Sequence, residues 1–156
     1  MHGGLSTILI FLLAVGLAVA ALLDWRSRTI PNWLNLAIAL LAIPFWWSTG
    51  LSLWPGVAVE LGIALAVLAI FAFAFQLGLM GGGDVKMLAA LALWLPPLAV
   101  LQLLVIMSLA GGVLTLILLV PHRIARTAGQ PEIPYGIAIA FAGFWLISER
   151  FLNQFV

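Results

Sequence analysis

The chain has no cysteine in its 156 residues. That excludes disulfides, thiolate metal centres and thiol redox chemistry. Charge is almost as scarce, at 7% of residues with a net charge of +1. So few basic residues make no nucleic-acid footprint. Aspartate occurs only at Asp24 and Asp84, and histidine only at His2 and His122. With histidine scattered and cysteine absent, neither a metal site nor a cofactor is expected. No 20-to-50-residue repeat and no low-complexity linker interrupts the chain.

What is abundant is apolar surface: 65% of residues are hydrophobic, and the mean hydropathy is +1.28. A soluble domain of this size has no core large enough to hide it. Runs of roughly 20 apolar residues, each able to cross ~30 Å of hydrocarbon as a helix, account for it instead. Backbone in lipid must satisfy itself, and the alternation of a β-barrel is missing. The expectation is an all-α integral membrane protein, one domain over 1–156, with six transmembrane helices at 5–23, 33–53, 57–79, 85–95, 98–120 and 135–153. The first run, Leu5 to Leu23, has no Lys or Arg before Arg26 and is long enough to span. It reads as a retained helix, not a signal peptide.

The gaps set the orientation. DWRSRTIPN (24–32), GGGDVK (81–86) and PHRIARTAGQPE (121–132) hold Arg26, Arg28, Lys86, Arg123 and Arg126, whereas STGLSLWPG (48–56) and Pro96-Pro97 hold no basic residue. Basic gaps stay in the cytoplasm, which puts the N-terminus outside. Trp46, Trp47, Trp54 and Trp94 are then expected at the outer interface, with Trp25 and Trp33 at the inner one. The fourth helix is short, since 85–95 rises only ~16 Å. A single kinked span over 87–119 is the alternative, but it would place Arg123 and Arg126 outside.

With two crossings between them, Asp24 and Asp84 return to the same boundary. Two carboxylates held close cannot both ionise: one keeps a proton while the other acts as base toward water. Such a pair can hydrolyse an amide. Gly81 and Gly83 let an extended backbone come close. The bland alternative is that each aspartate is an interfacial flank or an N-cap.

At these residues the chain resembles the prepilin peptidases (type IV leader peptidases), membrane aspartic proteases sharing a Gly-x-Gly-Asp motif. The match is to the short form associated with tight-adherence (Flp-type) pili. Three segments carry it: DWRSRTIPNWL (24–34), GGGDVKMLAALALWL (81–95) and IPYGIAIAFAG (133–143). The resemblance implies removal of the short N-terminal leader of a pilin or pseudopilin precursor, commonly after glycine, at the cytoplasmic side of the inner membrane. Asp24 and Asp84 would be catalytic. The substrate's apolar helix, membrane lipid and pilus assembly proteins would be its partners. Larger relatives carry an N-terminal region with paired cysteines and also N-methylate the product. Here helix 1 starts at once, so peptidase activity without a methyltransferase region is expected.

Other residues hold two readings each. Lys86 either engages substrate and tunes Asp84 or anchors the inner interface. Pro31 and Asn32 set the turn into helix 2, with Asn32 as its N-cap, or contact substrate. Pro134, Tyr135 and Gly136 border the cleft or simply open helix 6. Glu60 falls far from the site, Glu132 lies in a loop, and Gly111-Gly112 reads as close helix packing. Two other functions compete: a small proton- or ion-coupled transporter, against which boundary rather than midplane aspartates count, and a structural subunit of a pilus or secretion machine.

Overall fold

The computed structural model describes residues 3–124 and 134–153; His2, Arg126 and Glu132 lie outside them. It is a bundle of six α-helices with no strand among the described residues: α1 Gly3–Ser27, α2 Asn32–Ser48, α3 Ala58–Gln76, α4 Gly82–Ala92, α5 Pro97–Ile124 and α6 Tyr135–Asn153. A helical turn, Leu53–Val57, leads into α3. Among the described residues, three stretches are long and apolar enough to cross a membrane: Gly4–Ser27, Leu53–Gln76 and Pro97–Leu118; Tyr135–Glu149 is a shorter apolar helix. Large side chains such as Phe11, Ile70, Phe73 and Leu109 stand on the outer surface. That suits lipid and would not suit water.

Helix boundaries moved where turn chemistry intervened. α2 stops at Ser48, not 53, because Thr49 ends it and Gly50 turns the chain with φ 70°. α5 opens on Pro97, whose missing N–H costs nothing in a first turn. The chain therefore breaks between α4 and α5, and the single kinked span over 87–119 is not formed.

The short helix α4 is the centre of the bundle. It packs against α2, α3 and α6, and Val85, Met87, Leu88, Ala90, Leu91 and Ala92 are all buried. Eleven residues reach only ~16 Å, so its carbonyl end stops inside apolar surroundings, where orphan C=O groups need donors. A tryptophan supplies one. Trp46 Nε1 donates to Leu93 O at 2.7 Å, and Trp94 Nε1 donates back to Ile38 O at 3.0 Å. The Phe45 and Trp94 rings pack with centroids 4.8 Å apart. Trp46 and Trp94 are thus buried internal clamps and not part of an outer aromatic belt. Trp25, Trp33, Trp47 and Trp54 do lie exposed.

α6 closes the bundle against α1, α4 and α5. Its Gly143 admits α1 and α4 closely: a methyl built there would meet Leu17 Cδ1 at 2.8 Å and Leu91 Cδ1 at 3.5 Å. Gly111 of α5 faces the Tyr135 ring, while Gly112 faces open space. The packing reading thus holds for the first of those two glycines.

Candidate active site

The ends of α1, α4 and α6 meet the start of α2 at one end of the bundle. α1 ends when Arg28 adopts a left-handed conformation (φ 54°) and donates its N–H to Asp24 O at 3.0 Å. A residue in that conformation is a common helix stop, although glycine usually fills it. The turn delivers Ile30, 6% exposed, into the bundle. Pro31 follows in an extended conformation and takes the N-cap position of α2, so Asn32 is the first helical residue and not the cap.

Ile30 is the wedge on which the site is built. On one side it lies against Gly83: a methyl there would stand 3.0 Å from Ile30 O and 3.2 Å from Ile30 N. On the other it lies against Gly136, where a methyl would stand 2.7 Å from Ile30 Cδ1 and 2.8 Å from Asp24 Oδ2. Two of the glycines singled out in the sequence therefore leave room for the same isoleucine. Nothing in the apolar pattern marked Ile30; the one hint was its place beside Pro31 in the first motif segment.

Asp24, in the last turn of α1, is 3% exposed. Its carboxylate accepts from the backbone N–H groups of Gly136 and Ile137, so it caps α6 from another helix. Its Oδ2 has no hydrogen-bond partner within the protein. The Arg28 guanidinium acts on it coulombically and also lies over the Trp25 ring at 5.7 Å.

Asp84 is 8% exposed and stands at the third position of α4. From there it reaches back to the N–H of Gly81, the N-cap residue, as the acidic half of a capping box does. This return requires glycine at 81: a methyl there would stand 2.8 Å from Asp84 Oδ2. Asp24 lies close enough to act on Asp84 through its charge. The structure thus brings Asp24, Asp84, Gly81, Gly83 and Gly136 together, with Pro31 on the turn beside them. Buried Pro134 precedes α6, and Tyr135 turns away onto Gly111.

Lys86 and Asn32 form a separate pair. Lys86 Nζ donates to Asn32 Oδ1 at 2.8 Å, and two residues beyond Asp84 it points ~200° around the helix. Asn35, which the sequence reading passed over, is 4% exposed. Its Nδ2 donates to Gly83 O at 3.0 Å, tying α2 to the first turn of α4.

Two buried carboxylates, adjacent glycines and no third acid among the described residues make a site that suits proton transfer to and from water better than ion binding. The chain's residues 11–116 match the family model described as the type IV leader peptidase family. No curated protein and no solved structure is significantly similar to the chain.

Proposed function

The chain belongs to the type IV leader peptidase family, and on that premise we propose that it is an aspartic endopeptidase. It removes the short N-terminal leader of a Flp-type prepilin or pseudopilin at the cytoplasmic face of the inner membrane, without N-methylating the product. Asp24 and Asp84 form the catalytic pair. The observation that carries this reading is the gathering of the two aspartates at one end of the bundle, separated by 59 residues of chain yet within reach of each other's charge. The presence of Arg28 and Lys86 at this same end supports the cytoplasmic placement.

The pair shares one proton between two carboxyl groups. The ionised member takes a proton from water as the water oxygen bonds to the scissile carbonyl carbon, and the protonated member hydrogen-bonds to the oxygen that gains charge. A proton then passes to the leaving nitrogen as the C–N bond breaks, which leaves a new carboxyl and a new amino terminus. Asp24 Oδ2, buried and without a protein partner, is available to the water or the carbonyl. The burial of both carboxylates favours a small residue at the cut, since a bulky one would hold the scissile carbonyl away from them.

Co-expression with a Flp-type prepilin tests this. The native chain is expected to shorten the precursor on a gel and give an unmethylated N-terminus by mass spectrometry, whereas Asp24→Asn and Asp84→Asn leave the precursor intact. Processing that survives both substitutions would remove the aspartates from the mechanism. A product 14 Da heavier, made by this chain alone, would contradict the absence of methylation.

A further inference from the structure

On the other side of α4 from Asp84, a groove of about 490 Å³ opens between α2, α3 and α4. Its walls are apolar, with Leu36 and Ala39 from α2 and Leu61, Ala64 and Leu65 from α3. One end is not: Asn32, Asn35 and Lys86 line it. Asn35 is the informative residue. Its Nδ2 is committed to Gly83 O, which fixes the orientation of the amide, and its Oδ1 is buried with no hydrogen-bond partner in the protein. A buried acceptor left alone carries a desolvation cost until a donor reaches it. An acyl chain brings no donor and a phosphate brings only acceptors, but a polypeptide brings an N–H at almost every residue.

We propose that this groove holds the apolar helix of the polypeptide substrate, with Asn35 Oδ1 accepting a backbone N–H from the stretch that leads out of that helix toward the scissile bond. The assignment rests on the peptidase reading above. Lys86, at the same end, offers its ammonium to a substrate carbonyl or carboxylate. The path from the groove to Asp84 runs past the first turn of α4, whose N-cap is Gly81. The groove thereby positions the bond, and the aspartates cut it.

Two measurements test this on the full-length protein in membranes. The first places a benzoylphenylalanine photocrosslinker at Leu36, Leu61 or Leu65, or at the outward-facing Leu109 of α5, in the Asp84→Asn background with uncut precursor present. Adducts with the precursor are expected from the groove positions at roughly tenfold the yield from Leu109, as specific docking requires. Equal yields, or groove adducts with lipid alone, would overturn the proposal. The second is kinetic. Ala39→Phe, which fills the groove without touching the aspartates, is expected to raise KM roughly tenfold with kcat within about twofold. Asn35→Leu is expected to raise KM in the same direction. If the native chain cleaves the precursor while Ala39→Phe keeps a native KM, the groove assignment fails and the peptidase reading stands. If the native chain cleaves no precursor, both fall.

Discussion

Gly81→Ala isolates the geometry of the second aspartate from the stability of the fold. Gly81 has φ −71° and ψ 142°, a conformation open to any residue, so its backbone gives no reason for glycine. The reason is the carboxylate folded back over it. A methyl at 81 would stand 2.8 Å from Asp84 Oδ2, about 0.6 Å inside the 3.4 Å at which ordinary contact begins. Asp84 must therefore swing away from the Gly81 N–H, out of the place where it faces Asp24. A misplacement of this size at a reacting group typically costs about 10- to 100-fold in kcat/KM, or ~1.4–2.7 kcal/mol of transition-state stabilisation. Stability should move by less than ~1 kcal/mol, because alanine in an allowed conformation also restricts the unfolded chain. Gly82→Ala is the matched control: its methyl would meet only the edge of the half-exposed Phe75 ring at 3.3 Å. That ring can give way, so leader cleavage by Gly82→Ala should stay within about twofold of native. The assay is leader removal by purified protein in liposomes, with unfolding followed in parallel. Native kinetics for Gly81→Ala, or an equal loss for Gly82→Ala, would refute the reasoning.

Gly83→Ala should be worse than Gly81→Ala for folding, since its methyl would press on Ile30 backbone atoms at 3.0 and 3.2 Å, which cannot rotate away; a lower yield of folded protein checks this, and native yield would contradict it. Trp46→Phe removes the donor to Leu93 O and should destabilise the bundle by about 1–3 kcal/mol in a detergent unfolding titration; an unchanged midpoint would count against the indole clamp. Asp24→Ala strips α6 of its cap at a cost of about 0.5–2 kcal/mol, whereas Asp24→Asn keeps an acceptor and recovers most of it; equal unfolding midpoints for the two variants would contradict the capping role. Because the chain is free of cysteine, a pair introduced at 24 and 84 should be bridged by a short bifunctional thiol reagent, as should a control pair at the close contact of Leu17 with Gly143. Bridging of the control alone would separate the aspartates.

The parts of this structure that were legible in the sequence were those written as breaks in the apolar pattern. Asp24 and Asp84 stood out because an acid in such a chain is rare, and two crossings between them placed both at one end. Pro96-Pro97 marked the break before α5, and the glycines around Asp84 announced a close approach. What was not legible concerned which way a side chain faces. In a water-soluble helix the polar stripe identifies the buried face by contrast, but lipid is as apolar as a core, so that contrast vanishes. Trp46 and Trp94 therefore read like Trp47, although the first two turn inward, Trp46 to a carbonyl that the eleven-residue α4 leaves exposed and Trp94 to Ile38 O of α2. Ile30 and Asn35 were hidden for a related reason: their contacts lie on partners far away in sequence, at Gly83 and Gly136. Asn32 was misplaced by one position because Pro31, which cannot donate, occupies the N-cap and leaves Asn32 free to hold Lys86.

The most direct test of the two aspartates as one machine is a double-variant cycle in leader cleavage. Asp24→Asn, Asp84→Asn and the combined variant are measured against the same precursor at single turnover. Groups that share one proton in one step fail together, so each single variant should lose about 10³-fold or more, and the combined variant should lose no further activity. Losses that multiply, or a single variant that cuts at close to the native rate, would contradict the shared site.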